Sequence, residues 1–249
     1  MLKIFLASLV LSASLVAGEI SVAVAANLSD VIEVFKTEFA KTNPQTKVNT
    51  VLGASGKFTA QIKGGAPFDL FISADMQFPE ALYADGIAHT KPVTYASGAL
   101  AIMSTKGLDI SKGMVLLKEA KIEKIALANP KTAPYGTAAI QAFKNAGVYE
   151  NVESKLVYGE SISQAIQFAT TAADVGIINL SAFYNENMKR YIEGKDWVRV
   201  DTTLYTPIAQ GIVILKQAQK NAEAKAFYDF ILSAKAKVIF KNYGYLVNE

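Results

Sequence analysis

Ala25-Ala26-Asn27-Leu28-Ser29-Asp30 joins a strand pattern to a helix pattern, and its reading decides the fold. Before it, Ile20-Ser21-Val22-Ala23-Val24-Ala25 alternates and is rich in Val and Ile, as a strand should be. After it, Leu28, Val31, Ile32, Phe35 and Phe39 recur at helical spacing. Asn27 is placed to cap that helix, with Asp30 three residues on in the capping-box position. A helix start carries unpaired backbone N–H groups and the positive end of the helix dipole. It is a ready anion site that needs no Lys or Arg. Taken alone, the junction reads more plainly as an ordinary N-cap; the rest of the chain bears on the choice.

The chain opens with Lys3, an apolar run over residues 4–16, and the small residues Val16-Ala17-Gly18. This is the pattern of an export signal cleaved near Gly18/Glu19. The run is too short for a comfortable transmembrane span. Residues 1–18 are therefore expected to be a signal peptide, leaving an exported, soluble chain of residues 19–249. That length buries one large core or two smaller ones. The absence of Cys excludes disulfides, thiolate metal sites and thiol catalysis, and removes the usual lipid-attachment residue. With 25 basic against 22 acidic residues and no basic run, nothing tracks a nucleic-acid backbone.

Strand and helix patterns alternate outward from the opening junction. Strand 20–26 leads to helix 28–41, strand 47–52 to helix 56–63, and strand 69–73 to helix 77–85. Residues 97–104 read as one strand, and 116–120, 124–128, 137–147 and 155–157 supply further helix and strand units. Helix 161–171 precedes strand 175–180, and strand 208–215 precedes helices 219–232 and 234–242. The alternation argues for an α/β fold with mostly parallel sheets. There is no internal repeat or low-complexity linker, so two lobes would require the chain to pass between them more than once.

In open α/β sheets, ligands bind beyond the carboxyl ends of strands, where helices begin. Four junctions besides Asn27 have that character. Ser55 lies in Gly53-Ala54-Ser55-Gly56, where glycines let backbone approach a ligand. Tyr135 follows Pro134 just before a helix and offers a backbone N–H or a hydroxyl. Ile162, in Gly159-Glu160-Ser161-Ile162-Ser163, can offer only its backbone N–H. Asn179 ends the apolar stretch Gly176-Ile177-Ile178. Each has an ordinary structural explanation: a glycine turn, a packed surface tyrosine, a Ser161 cap, a satisfied core asparagine. Together they would suit a dehydrated oxyanion, which needs donors rather than counter-charges that are costly to bury.

Other motifs fall short. Gly53-Ala54-Ser55-Gly56-Lys57-Phe58 lacks the first glycine of a P-loop, with Val51 there, and the Ser or Thr that should follow Lys57. His89 is the only histidine, sits in a turn-like stretch, and has no Gly-x-Ser-x-Gly elbow to serve. Asp69 and Asp75 bracket a short strand and leave open a carboxylate-pair hydrolase, although capping and surface roles explain them more simply. No His/Cys metal cluster is present.

The chain resembles the periplasmic molybdate-binding proteins that feed ABC importers. The resemblance covers essentially all of residues 19–249. It is carried by Ala25-Ala26-Asn27-Leu28, Gly53-Ala54-Ser55-Gly56, the block from Gly65 to Asp75 (GAPFDLFISAD), Pro134-Tyr135-Gly136, Gly159-Glu160-Ser161-Ile162 and Gly176-Ile177-Ile178. The tail, with Phe227-Tyr228-Asp229-Phe230 and residues 239–245, completes it. The resemblance implies a two-lobed periplasmic-binding-protein fold (type II) with the oxyanion in the inter-lobe cleft. It implies one lobe from residues 19–96 plus 211–249 and another from 97–210. It implies capture of molybdate or tungstate without catalysis or cofactor, molybdenum being held as the oxyanion. The implied partner is an inner-membrane ABC permease, with the protein a monomer in the periplasm. Asn27 falls where members have Ser or Asn, Ser55 matches a second serine ligand, and Ile162 matches an aliphatic backbone donor. Tyr135 falls where members have Ala or Tyr, which favours its backbone N–H. Asn179 falls where one branch has a ligand-reaching Tyr, a departure that Tyr135 would have to make good. A sulfate or phosphate specialist and an exported hydrolase using Asp69 and Asp75 are the alternatives.

Overall fold

A computed structural model of the chain describes residues 18–247. Apart from Gly18, the segment read as a signal peptide lies outside the described residues. In chain order the first elements are β1 (Gly18–Ala25), α1 (Ile32–Ala40), β2 (Thr46–Gly53), α2 (Ser55–Lys63), β3 (Leu70–Ile72) and α3 (Gln77–Ala84). They are followed by β4 (Val93–Gly98), β5 (Leu100–Met103), β6 (Ile125–Ala128), α4 (Pro134–Asn145), α5 (Tyr149–Val152) and β7 (Leu156–Gly159). The chain closes with α6 (Ile162–Thr171), β8 (Val175–Asn179), β9 (Trp197–Arg199), β10 (Ile208–Ile214), α7 (Ala222–Ile231) and α8 (Ala234–Asn242).

Two five-stranded sheets result, in the orders β2-β1-β3-β10-β4 and β7-β6-β8-β5-β9. Each is the floor of a lobe. The sheets are mixed rather than mostly parallel: β1 runs parallel to β2 and β3, but β10 is antiparallel to β3 and β4. In the second sheet β6 runs parallel to β7 and β8, and β5 is antiparallel to β8 and β9. Side chains alternate across the first sheet as a pleat requires. Val22, Val24, Leu70, Ile72, Ile212 and Ile214 meet Phe35 and Phe39 of α1 and Phe227 and Phe240 of α7 and α8. Ala23, Phe71 and Val213 face the other way, onto Phe58, Ile62 and Leu82 of α2 and α3. The second lobe has a core of its own around Leu100, Ile102, Ile125, Leu127, Phe143 and Ile177.

The stretch 97–104, read as one strand, is two strands in different sheets. Gly98 pairs with Ile208 in the first sheet and Leu100 with Asn179 in the second, so the chain changes lobes at Ala99. It returns between Arg199 and Ile208. β4 runs on to Gly98 and β10 begins at Ile208, so both links between the sheets are short. The short β9 was not foreseen; three residues, Trp197-Val198-Arg199, carry too little periodicity to be seen.

Candidate functional site

In each lobe the first parallel strand lies between two later ones, β1 between β2 and β3, and β6 between β7 and β8. Helices therefore leave the central strand on either side, and a crevice opens at the carboxyl ends. The two crevices face each other across a small cavity. Its lining follows the strand ends: Ala25–Asn27 after β1, Gly53–Ser55 after β2 and Ala74 after β3, with Ala133–Tyr135 and Ile162 from the second lobe. Asn27, Ser55, Tyr135 and Ile162 are all buried, and no charged side chain lines the cavity.

Asn27 does not cap a helix. It sits in a short 3-10 turn (Ala26–Leu28), and α1 starts only at Ile32, with Val31 at its N-cap and no side-chain cap. The capping-box reading of Asp30 fails with it. The Asp30 carboxylate instead accepts from the Asn185 amide in the other lobe. The Asn27 amide points into the protein, its Nδ2 donating to Gln210 Oε1 at 2.9 Å and to Tyr245 Oη at 3.1 Å.

Ser55 is the first residue of α2, behind Ala54. Its hydroxyl oxygen accepts from the Ala74 N–H at 3.0 Å, which leaves its own hydrogen free to donate. Pro134 is the first residue of α4 and has no N–H, so Tyr135 supplies the first amide of that helix. The Tyr135 hydroxyl accepts from Gln210 Nε2 at 3.0 Å, and Gly98 leaves room for it. Burial holds that phenol well above its usual pKa, so it stays neutral. Ile162 opens α6, whose N-cap Ser161 accepts from Gln164 N. The first-turn N–H groups of Ser55, Tyr135 and Ile162 have no intrahelical acceptor.

Asn179 is buried but is not among the residues lining the cavity. Its Nδ2 donates to Ser181 Oγ at 2.7 Å, and Ser181 in turn donates to Tyr245 at 3.1 Å. The expected direct contact from this side chain is thus replaced by a place in the polar layer behind the cavity. Gln210 and Tyr245 of that layer were missed. A glutamine inside Ile208-Ala209-Gln210-Gly211-Ile212 was a visible signal, since a buried strand keeps such a group only with partners.

The lobes touch around the cavity. Gly56 N–H donates to Thr132 O at 2.8 Å, Ser163 Oγ to Ala26 O at 3.3 Å, and Lys57 pairs with Glu160 at 2.6 Å. A buried cavity lined by neutral groups, closed from two sides by strand-end loops, is what a solute-capturing protein requires. The profile of the bacterial extracellular solute-binding protein family matches residues 20–246.

The chain belongs to this family. It is 41% identical over 233 residues to the molybdate-binding protein ModA of Azotobacter vinelandii, covering 92% of this chain and 90% of that protein. It is 40% identical to ModA of Rhodobacter capsulatus, covering 92% and 89%. The solved structure of the Azotobacter vinelandii periplasmic molybdate-binding protein superposes with a TM-score of 0.83 at 30% identity, covering 92% of this chain and all (100%) of that one. This solute-binding protein thus has the two-lobed periplasmic-binding-protein architecture, with the cavity in the inter-lobe cleft. It is not an enzyme. The Asp69 carboxylate accepts from Ser21 N–H at 2.7 Å, and Asp75 accepts from Phe78 N–H at 3.2 Å and from Ser73 Oγ. Burial raises the Asp75 pKa, and the carboxylate serves the turn that opens α3. His89 is exposed in a turn.

Proposed function

We propose that this protein captures molybdate, and also tungstate, outside the cytoplasm and hands it to the permease of an ABC importer. The observation that carries this reading is the convergence of Asn27, Ser55, Tyr135 and Ile162 on one uncharged cavity. The Ser55 hydroxyl and, once its amide is turned from its inward bonds, Asn27 are offered from the first lobe, the Tyr135 and Ile162 backbone N–H groups from the second. A tetrahedral dianion seated there is held by donors alone, without burying a counter-cation. Because each lobe supplies part of the shell, the ligand binds the closed arrangement better than the open one and shifts the population toward it. The closed shape is what a membrane permease would read. In this reading the protein works as a periplasmic monomer after loss of residues 1–18. The first lobe is formed by the segments before Ala99 and from Ile208 onward. The high identity to two proteins named for molybdate supports this ligand over sulfate or phosphate, which would sit more loosely or need an acceptor for a proton.

A thermal-melt series on the purified protein with molybdate, tungstate, sulfate and phosphate tests it. Ligand at about 100 times its dissociation constant stabilises by roughly 2.7 kcal/mol. A rise with molybdate and tungstate but not sulfate is expected. A rise with sulfate or phosphate alone would reassign the ligand, and no rise with any of the four would overturn the reading.

A further inference from the structure

Behind the cavity lies a buried polar layer that the capture reading does not use, and Gln210 is its hub. Gln210 is fully buried on β10 and does not line the cavity. It nonetheless touches a cavity residue of each lobe, through Asn27 Nδ2 to its Oε1 at 2.9 Å and its Nε2 to Tyr135 Oη at 3.0 Å. Counting hydrogens shows that this arrangement is one of two. Tyr95 has a single hydroxyl hydrogen but two acceptors, Ser73 O at 2.9 Å and Gln210 Oε1 at 2.7 Å. Asn27 Oδ1 is buried with no donor.

A half-turn of both terminal amides relieves Tyr95 and gives Asn27 Oδ1 a donor, and it moves the shortage to Tyr245, whose one hydrogen then faces both Asn27 O and Asn27 Oδ1. Gln210 Nε2 then gives one hydrogen to Asn27 Oδ1 and the other to Tyr95, and Tyr95 gives its own to Ser73 O. Tyr135 donates to Gln210 Oε1. Tyr245 keeps its 2.6 Å bond to Asn27 O and its donor Ser181. The group then left without a partner is Asn27 Nδ2, a donor on a residue that lines the cavity.

We propose that Gln210 is a positioning residue for the anion site. It turns the Asn27 amide so that nitrogen, not oxygen, faces the anion, and the Tyr135 hydroxyl holds Gln210 in that orientation. The proposal rests on the oxyanion-capture reading. An amide oxygen turned toward a dianion repels it, whereas an amide N–H gives a charge-assisted bond, so the orientation decides the sign of the contact.

The test is a double-mutant cycle read by molybdate titration, with melting temperatures to confirm folding. Gln210→Leu in the otherwise unchanged protein should weaken molybdate binding at least roughly tenfold. In an Asn27→Ala background the same change should cost little more, because the group that Gln210 orients is gone. Tyr135→Phe removes one hydroxyl only and serves if Gln210→Leu does not fold. It should weaken binding in the unchanged protein and have no effect in the Asn27→Ala background. A merely structural role predicts the same loss in both backgrounds, and that result would overturn the proposal while leaving the capture reading intact. Failure of the unsubstituted protein to bind any of the four oxyanions would overturn both.

Discussion

In the proposed site, one Ser55 hydroxyl serves both fold and ligand. Its oxygen accepts the Ala74 N–H, and its hydrogen is left for the cavity. Ser55→Ala removes both. A hydrogen bond to a charged group is worth about 1.5–3 kcal/mol, so affinity for molybdate should fall roughly ten- to hundredfold. The orphaned Ala74 N–H should cost about 1–3 kcal/mol of stability in the ligand-free protein as well. Calorimetric titration and a denaturant melt check the two halves separately; a change in stability without a change in affinity would remove Ser55 from the site. Ser55 was legible in the sequence because its setting is local, a short polar residue between glycines at a strand end. The environment of Asn27 was not. Its partners Gln210 and Tyr245 lie 183 and 218 positions away, and no spacing rule spans such distances. The capping signature of Asn27 and Asp30 was sound as a pattern, but tertiary partners claimed both side chains and α1 started later.

At the scale of the element, two of the three helices that start at the cavity, α2 and α4, lack the side-chain cap that Ser161 gives the third, α6. α7 and α8 are capped by Asn221 and Ser233, whose side chains accept from Ala224 and Ala236 N–H. α2 and α4 have Ala54 and Ala133 in that position and no side-chain cap. Ser, Thr, Asp and Asn stabilise an N-cap by about 1 kcal/mol relative to Ala, so these two starts forgo a stabilisation that the same chain uses elsewhere. What they keep is free N–H groups and an unopposed dipole facing the cavity. Ala54→Asp should therefore act in opposite directions on stability and function. The new carboxylate supplies the missing cap and occupies the anion's place, so ligand-free stability should hold or rise. Molybdate affinity should drop more than a hundredfold, roughly 2.7 kcal/mol or beyond. A titration in which Ala54→Asp still binds molybdate tightly would show that the α2 start does not face the ligand. The α/β alternation that places these helices was readable from hydrophobic period alone. The mixed strand directions were not, because Ile208–Ile214 reads the same whichever way it pairs.

The whole molecule must close for donors from both lobes to reach one anion, and two contacts at the seam separate the forces involved. Lys57 and Glu160 pair at 2.6 Å, but their side chains are 47% and 74% exposed. Such a pair is worth about 0–1 kcal/mol, so Lys57→Ala should change affinity by less than about fivefold and lose its effect in high salt. Gly56 is different. Its N–H donates to Thr132 O across the cleft, and a Cβ on it would stand 3.0 Å from the Thr132 backbone and 2.9 Å from the Phe78 ring. Phe78 can shift at its tip; the facing backbone cannot do so without reopening the cleft. Overpacking of this kind costs about 1–3 kcal/mol. Gly56→Ala should leave the ligand-free melt nearly unchanged, because the open form removes Thr132 from the contact, and should weaken molybdate binding roughly ten- to hundredfold. In solution scattering, the unsubstituted protein should contract on adding molybdate, and Gly56→Ala should contract only at proportionately higher ligand. Equal affinity and equal contraction in the two proteins would mean that the ligand-bound lobes do not meet at this seam.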